Sequence, residues 1–161
     1  MLKLLSQRKI KKDWETYKPQ LLEAMLSTDG CLFFFSGNTD NILKNIYGRL
    51  MNPFNTIMNL WIDNDHEYLL LTYIQICEFT DTKTLLLFSL TRTKDVDNST
   101  ILKRWIDGYP VMKNFGEEHN CKGITAFTDL PYFTKIAENL AESNDLKIIT
   151  RYQYFVPIET S

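Results

Sequence analysis

The clearest pattern of apolar and polar positions lies in residues 68–93. Two long runs of aliphatic, aromatic and β-branched residues are separated there by a polar tetrapeptide, residues 80–83. This pattern predicts a β-hairpin at the centre of a sheet. Residues 57–63 form another alternating run just before it, so we expect a meander of three antiparallel strands. Polar residues at every third position of the middle strand would also fit a helix, but its tyrosine, isoleucine and phenylalanine content favours a strand.

Apolar residues at helical spacing predict two helices before the hairpin. The first covers residues 14–26, after a short strand at residues 2–5. Pro19 disfavours helical geometry at the residue before it, so we expect this helix either to begin at Pro19 or to kink there. The second helix should begin at Thr39 or Asp40, because both residue types are good N-caps, and should end just before Pro53.

A further helix is expected after the hairpin, at residues 98–107, with a polar N-cap in the preceding segment. Gly108 and Pro110 should break this helix, because glycine weakens a helix and proline removes a backbone hydrogen bond. A second short helical piece would then cover residues 110–116.

Residues 122–127 predict a strand between two helices, and therefore a parallel crossover connection. A last helix at residues 129–141 and a last strand at residues 146–158 complete the pattern. The apolar run at residues 31–35 could be a buried strand or a loop that fills the core.

The composition is typical of one folded domain spanning residues 1–161, with 44% hydrophobic and 24% charged residues. A net charge of −2 excludes the domain-wide positive field of non-specific nucleic-acid binders. The basic run at residues 8–12 is better explained as a solvated helix face. Three cysteines without paired spacing indicate reduced thiols and a cytoplasmic location. No run of about 20 apolar residues predicts a membrane span.

No residue pattern forms a self-sufficient catalytic or ligand-binding signature. His66 and His119 lie among polar residues whose spacing completes no metal site, so both are expected in surface loops. Cys77 falls inside a predicted strand and is expected to be a small core residue. The glycine-rich phosphate-binding motifs and the nucleophile elbow are absent from the sequence. We therefore expect no metal and assign no catalytic residue.

The order of strand, helices, three-strand meander, helix, strand, helix and strand resembles the GNAT N-acyltransferase superfamily. The resemblance is topological and covers about residues 57–158. It implies an α+β fold with a mixed, mostly antiparallel central sheet and helices on both faces. In that family the helix after the fourth strand binds the acyl-CoA pyrophosphate through its N-terminal amides. Residues 85–92 would be that strand, residues 98–107 the helix, and residues 123–127 the fifth strand, which splays away to open the substrate cleft.

The sequence departs from the family at two motifs. The loop after Arg92 should contain glycines that let the backbone approach a phosphate, but it has none and carries Asp95 and Asp97 instead. The general-acid tyrosine of the family lies late in the last helix, where this chain has apolar residues. Tyr132 lies too early to match it.

These departures lead to a first interpretation as a non-catalytic GNAT-like protein. The chain in this view resembles the GNAT-like proteins of bacteriophage structural gene clusters. That resemblance implies a structural, assembly or virion-associated role, a protein partner, no cofactor, and a location in the host cytoplasm or the virion.

The alternative is an acyl-CoA-dependent N-acyltransferase with an atypical pyrophosphate loop. Its cofactor would be coenzyme A or acetyl-CoA. Backbone amides near Leu90 and the helix start at Ser99 would hold this cofactor, with Arg92 or Lys94 on the phosphates. A nucleic-acid-binding module that uses residues 8–12 is the third and least supported interpretation.

Overall fold

A computed structural model describes residues 1–27, 39–55, 57–63, 68–92 and 98–126, all of which lie in the first of two units of the chain, Met1–Phe127. The strands of this part are β1 (Leu2–Leu4), β2 (Met58–Asp63), β3 (Tyr68–Cys77), β4 (Thr82–Arg92) and β5 (Cys121–Ala126). Its helices are α1 (Gln7–Ser27), α2 (Thr39–Met51) and α3 (Asn98–Glu118).

The five strands form one sheet in the order β1-β2-β3-β4-β5. Neighbouring strands from β1 to β4 are antiparallel, and β5 returns parallel to β4 after α3. The turn between β3 and β4 places Asp81 at a φ of 51°, a left-handed conformation that aspartate tolerates. The predicted meander, hairpin and parallel crossover are confirmed. So is the α+β fold with a mixed, mostly antiparallel sheet.

Alternate side chains of the sheet pack against different helices. The buried cluster on one side, the α1–α2 face, comprises Ile10, Tyr17, Leu21, Leu43, Ile46, Leu50, Leu60, Ile62, Leu69 and Leu71. On the other side, the α3 face, Trp61 meets Phe115 of α3 edge to face with ring centroids 4.9 Å apart. Met112 of α3 is fully buried. Helices therefore cover both faces of the sheet, as predicted.

The first helix breaks at Asp13, so the prediction of a start or kink at Pro19 is wrong. Asp13 has a φ of −109° and a ψ of 17°, and α1 continues on both sides of it. Pro19 is exposed inside the second segment, whereas Tyr17 and Leu21 are buried. The packing of these two residues on the sheet outweighs the backbone hydrogen bond that the proline removes.

The basic run at residues 8–12 lies on α1, because the helix begins at Gln7. Ile10 in the middle of the run is buried, and its four basic neighbours are exposed. Lys9 forms an ion pair with Asp13, with Nζ 2.7 Å from Oδ2. The prediction of a solvated helix face is confirmed.

The third helix runs without interruption from Asn98 to Glu118, so the predicted break at Gly108 and Pro110 is wrong. Gly108 is buried close to the sheet, where an added Cβ would lie 3.5 Å from the Tyr68 hydroxyl and 3.6 Å from Leu2. Pro110 is exposed. The buried apolar side of the helix keeps it intact across both residues.

Several predictions concern parts of the chain outside the described residues. They are the run at residues 31–35, the helix at residues 129–141, the strand at residues 146–158 and the loop around His66. The single domain spanning residues 1–161 also stays a prediction. Among the helices described, none is both long and apolar enough to cross a membrane.

Candidate functional site

The candidate cofactor site lies where β4 ends at Arg92 and α3 begins at Asn98. Leu90 and Arg92 belong to the last three residues of β4, and Ser99 lies in the first turn of α3. Lys94 lies outside the described residues. Three of the four residues that the sequence assigns to the cofactor thus flank the junction of β4 and α3. Their contact with a ligand stays a prediction.

The end of β4 extends beyond its pairing with β5. The last register pair between these strands joins Leu87 and Ala126, whereas β4 continues through residues 88–92. In the described part of the chain, this end of β4 is paired on one side only, by β3. Backbone amides and carbonyls without a strand partner are groups that a ligand can bind.

A β-bulge lies at the start of this extension. Leu71 pairs with Ser89 and Thr72 pairs with Leu87, so Phe88 is an extra residue on β4. Bulges bend a strand and are frequent next to active sites. The sequence does not predict this one, because Phe88 is as good a strand former as its neighbours.

Tyr68 connects the end of β4 to α3. It pairs with Arg92 in the sheet, and its buried hydroxyl donates a hydrogen bond of 3.3 Å to the carbonyl oxygen of Arg104 in α3. Its backbone N–H donates a hydrogen bond of 3.2 Å to Oδ1 of Asp63, a carboxylate that is only 1% exposed. The sequence does not predict the Tyr68 contact, because its partner in the helix lies 36 residues further along the chain. Without that contact, nothing in the sequence distinguishes Asp63 from the other polar residues around it.

The N-terminus of α3 favours an anion. The helix is 21 residues long and has no acidic residue in its first turn. The free N–H groups at a helix start and the partial positive charge of the helix dipole together attract phosphate. Asp95 and Asp97 precede the helix in the sequence, and their negative charges oppose this attraction.

His119 lies in the turn directly after α3 and is partly buried. Its Nδ1 is 2.8 Å from the carbonyl oxygen of Phe115, and the two rings pack with centroids 4.0 Å apart. His119 therefore lies in a connecting turn, as predicted, but its ring is only partly exposed because it packs on the end of the helix. Among the described residues, no group of three or more potential metal-binding side chains comes together.

Cys77 is exposed at the end of β3, so its predicted place in the core is wrong. The last residues of β3 extend to an end of the hairpin where side chains are exposed. A hydrogen bond from the Thr80 side chain, with others from the backbone N–H groups of Phe79 and Thr80, lowers the pKa of the Cys77 thiol. This hairpin end lies opposite the end where β4 reaches Arg92. Burial raises the pKa of the Cys121 thiol.

A hollow of about 310 Å³ lies between α1 and α2. Its lining residues are Trp14, Lys18, Asp40, Leu43, Lys44 and Tyr47. The rings of Trp14 and Tyr47 pack against each other with centroids 4.8 Å apart. The residues that line this hollow belong to α1 and α2, so it is separate from the junction of β4 and α3.

No protein-family model and no curated protein matches the sequence. Solved structures nevertheless match the fold over almost the whole chain. A probable acetyltransferase superposes with a TM-score of 0.61 at 10% identity, covering 99% of each chain. An aminoglycoside N-acetyltransferase in complex with CoA gives 0.59 at 11% identity, covering 98% of this chain and 93% of the other. A GNAT family acetyltransferase from Staphylococcus aureus gives 0.57 at 10% identity, covering 99% and 98%.

The chain has the GNAT fold. The resemblance inferred from element order is thereby confirmed for the architecture. The first functional interpretation, a non-catalytic phage-type assembly protein, is wrong. The structures that match are named as acetyltransferases, and one of them holds CoA.

Proposed function

We propose that the protein is an acyl-CoA-dependent N-acyltransferase with an atypical pyrophosphate loop. The observation that carries the proposal is the arrangement of β4, α3 and β5. The end of β4 is paired with β3 but, within the described residues, not with β5. A helix of 21 residues begins at Asn98, shortly after β4 ends, and leads to β5, which is parallel to β4. A helix start beside a strand end can hold a pyrophosphate on its backbone amides. The fold match to an acetyltransferase that binds CoA supports this assignment.

Four residues would hold the cofactor in this proposal. The backbone near Leu90 would hydrogen-bond the pantetheine amides, because this end of β4 is unpaired on its β5 side within the described residues. The start of α3 at Ser99 would hold the pyrophosphate. Arg92 and Lys94 would contribute positive charge where the family uses glycine amides.

The acyl-CoA would supply a reactive thioester. In the transfer, the nitrogen of an amine forms a bond to the acyl carbon, the carbon–sulfur bond breaks, and CoA leaves as its thiol. The proton that the amine loses balances the proton that the sulfur gains. The residues of this chain would bind and orient the thioester at the end of β4, so that proximity supplies part of the rate.

Titration calorimetry with acetyl-CoA tests the proposal. The wild-type protein should give saturable heat, and Arg92→Ala should weaken binding by about tenfold because a charge-assisted contact to phosphate is lost. Lys94→Ala should act in the same direction. Lys12→Ala removes the same charge from an exposed position on α1 and should leave binding unchanged. Absence of saturable heat with the wild type would refute the proposed function.

A further inference from the structure

One buried tyrosine holds together the parts of the chain that surround the candidate site. Tyr68 is only 2% exposed. Its backbone pairs with Arg92 at the end of β4, and its backbone N–H is held by the carboxylate of Asp63. Its hydroxyl donates to the carbonyl oxygen of Arg104 in α3. A single rigid side chain therefore spans from the last pair of β4 to the helix.

The hydroxyl meets the N-terminal half of α3. Arg104 lies six residues after Asn98, which corresponds to about 9 Å from the helix start at the rise of an α-helix. Gly108 lies one turn further on, and an added Cβ there would be 3.5 Å from the Tyr68 hydroxyl, so this turn of the helix is packed directly on the tyrosine. The contact thus acts on the N-terminal half of the helix, the half that begins at the candidate site.

Burying a hydroxyl costs free energy unless the hydroxyl finds a hydrogen-bond partner. Phenylalanine would fill nearly the same space and would need no hydrogen-bond partner. A hydrogen bond has a narrow range of distance and angle, whereas an apolar contact tolerates sliding. The hydroxyl therefore fixes the position of the helix along the sheet better than apolar packing alone.

We propose that Tyr68 is a positioning residue for the cofactor: its hydroxyl sets the distance between the end of β4 and the N-terminal amides of α3, so that both can hold one acyl-CoA pyrophosphate. This inference rests on the proposed function. Binding sites of this kind need their groups placed to within about 0.5 Å, which a directional contact to each element can provide. Asp63 supports the tyrosine by holding its backbone N–H.

The test compares Tyr68→Phe with two matched variants. Tyr17→Phe removes the same hydroxyl on the α1–α2 face, where it donates to Asp13 at 3.4 Å. Thr72→Val removes a buried hydroxyl on the α3 face from the same strand, β3, where it accepts a bond of 3.0 Å from Nε1 of Trp61. Thermal unfolding first confirms that each variant is folded. CoA affinity is then measured by calorimetry, and amide hydrogen exchange is followed in the ligand-free proteins.

Tyr68→Phe should weaken CoA binding by about three- to tenfold. It should also speed hydrogen exchange in a peptide covering residues 98–104. Neither control should change the CoA affinity or the exchange of that peptide. Unchanged hydrogen exchange of that peptide in Tyr68→Phe would show that the hydroxyl does not hold α3 in place, whatever the CoA affinity. Faster exchange with unchanged affinity would overturn the cofactor role while the proposed function stands.

A wild-type protein that gives no heat with CoA would overturn the proposed function and the cofactor role together. Faster hydrogen exchange in Tyr68→Phe would then still show that the hydroxyl holds α3 on the sheet. Failure of the proposed function can thus be distinguished from failure of the structural role of Tyr68. Equal weakening of CoA binding by Thr72→Val would also count against the proposal, because it would show that loss of any buried hydrogen bond on this face is sufficient.

Discussion

The two faces of the sheet are built differently. The cluster on the α1–α2 face consists of apolar and aromatic side chains from α1, α2, β2 and β3. The α3 face also buries polar groups, among them Asp63 and Thr72, both 1% exposed or less. Trp61 and Tyr68 on that face use their polar atoms in hydrogen bonds. Both faces are held by burial, and the α3 face adds hydrogen bonds made by side chains of the sheet, whereas the Tyr17 hydroxyl on the α1–α2 face bonds to Asp13 within α1.

This difference has a physical consequence for function. Apolar burial is proportional to area and is insensitive to small shifts, so it supplies most of the stability without fixing the position of a helix. Hydrogen bonds contribute little net stability but have a narrow geometry. The helix that begins at the candidate site lies on the face that has the directional contacts. Substitutions on the two faces should therefore change different properties.

The largest effect is expected from Leu60→Ala on the α1–α2 face. Leu60 is fully buried in β2, where it pairs with Leu71, and its truncation should lower the free energy of unfolding by about 3 kcal/mol. Denaturant-induced unfolding measures this loss. CoA affinity well below the melting temperature should be unchanged, and a large loss of affinity would contradict the separation of the two faces.

A smaller loss is expected from Thr72→Val on the α3 face. Valine has nearly the same shape, but it leaves the buried Nε1–H of Trp61 without its acceptor. The free energy of unfolding should fall by about 1–2 kcal/mol. Near-ultraviolet circular dichroism should report a change around Trp61. A variant as stable as the wild type would show that the polar contacts of this face are dispensable.

Replacement of two helical glycines by alanine should change the free energy of unfolding by amounts that depend on what surrounds each added methyl group. Gly48 in α2 has no atom within 4 Å of an added Cβ, so Gly48→Ala should raise the free energy of unfolding by about 0.5–1 kcal/mol. At Gly108 in α3, an added Cβ would meet the Tyr68 hydroxyl at 3.5 Å and Leu2 at 3.6 Å, which are ordinary van der Waals distances. Gly108→Ala should therefore give a gain at least as large in chemical denaturation, because the methyl group is also buried there. A smaller gain at Gly108 would show that α3 lies too close to the sheet to accept a methyl group.

The smallest effect is expected at the exposed ion pair of α1. A hydrogen bond from Lys9 lowers the pKa of Asp13 in the folded protein. The ionised carboxylate therefore stabilises the folded state fully above its unfolded pKa of about 3.9. This contribution is lost as the pH falls through the lower pKa of the folded state. Asp13→Asn should thus lower the melting temperature slightly at pH 7. The difference from the wild type should vanish at strongly acidic pH and shrink at high salt. A difference that persists in acid would assign the effect to the break in α1 instead.

Regular patterns in the sequence predicted most of the described fold. The apolar runs around residues 80–83 predicted the hairpin, and the helical spacing after Thr39 predicted α2. The predictions failed at Pro19, Gly108 and Pro110, where the sequence suggests local breaks. These residues do not end their helices, because packing on the sheet outweighs one missing hydrogen bond or one flexible residue.

The candidate site was predictable only in part. The order of elements placed Leu90, Arg92 and Ser99 on either side of one junction, and the structure agrees with that placement. The absence of glycines after Arg92 predicts a non-catalytic protein, and this prediction is wrong. Solved structures with the same fold are named as acetyltransferases.

The sequence by itself determined which segments become strands and helices and which of their faces are buried, because periodicity of apolar residues is a local property of the chain. Only the tertiary structure decided where Phe88 bulges, that Cys77 is exposed, and that the hydroxyl of Tyr68 reaches Arg104. Those features depend on the register between strands and on the distance between a strand and a helix far apart in sequence. No local pattern of residues determines either the register or that distance.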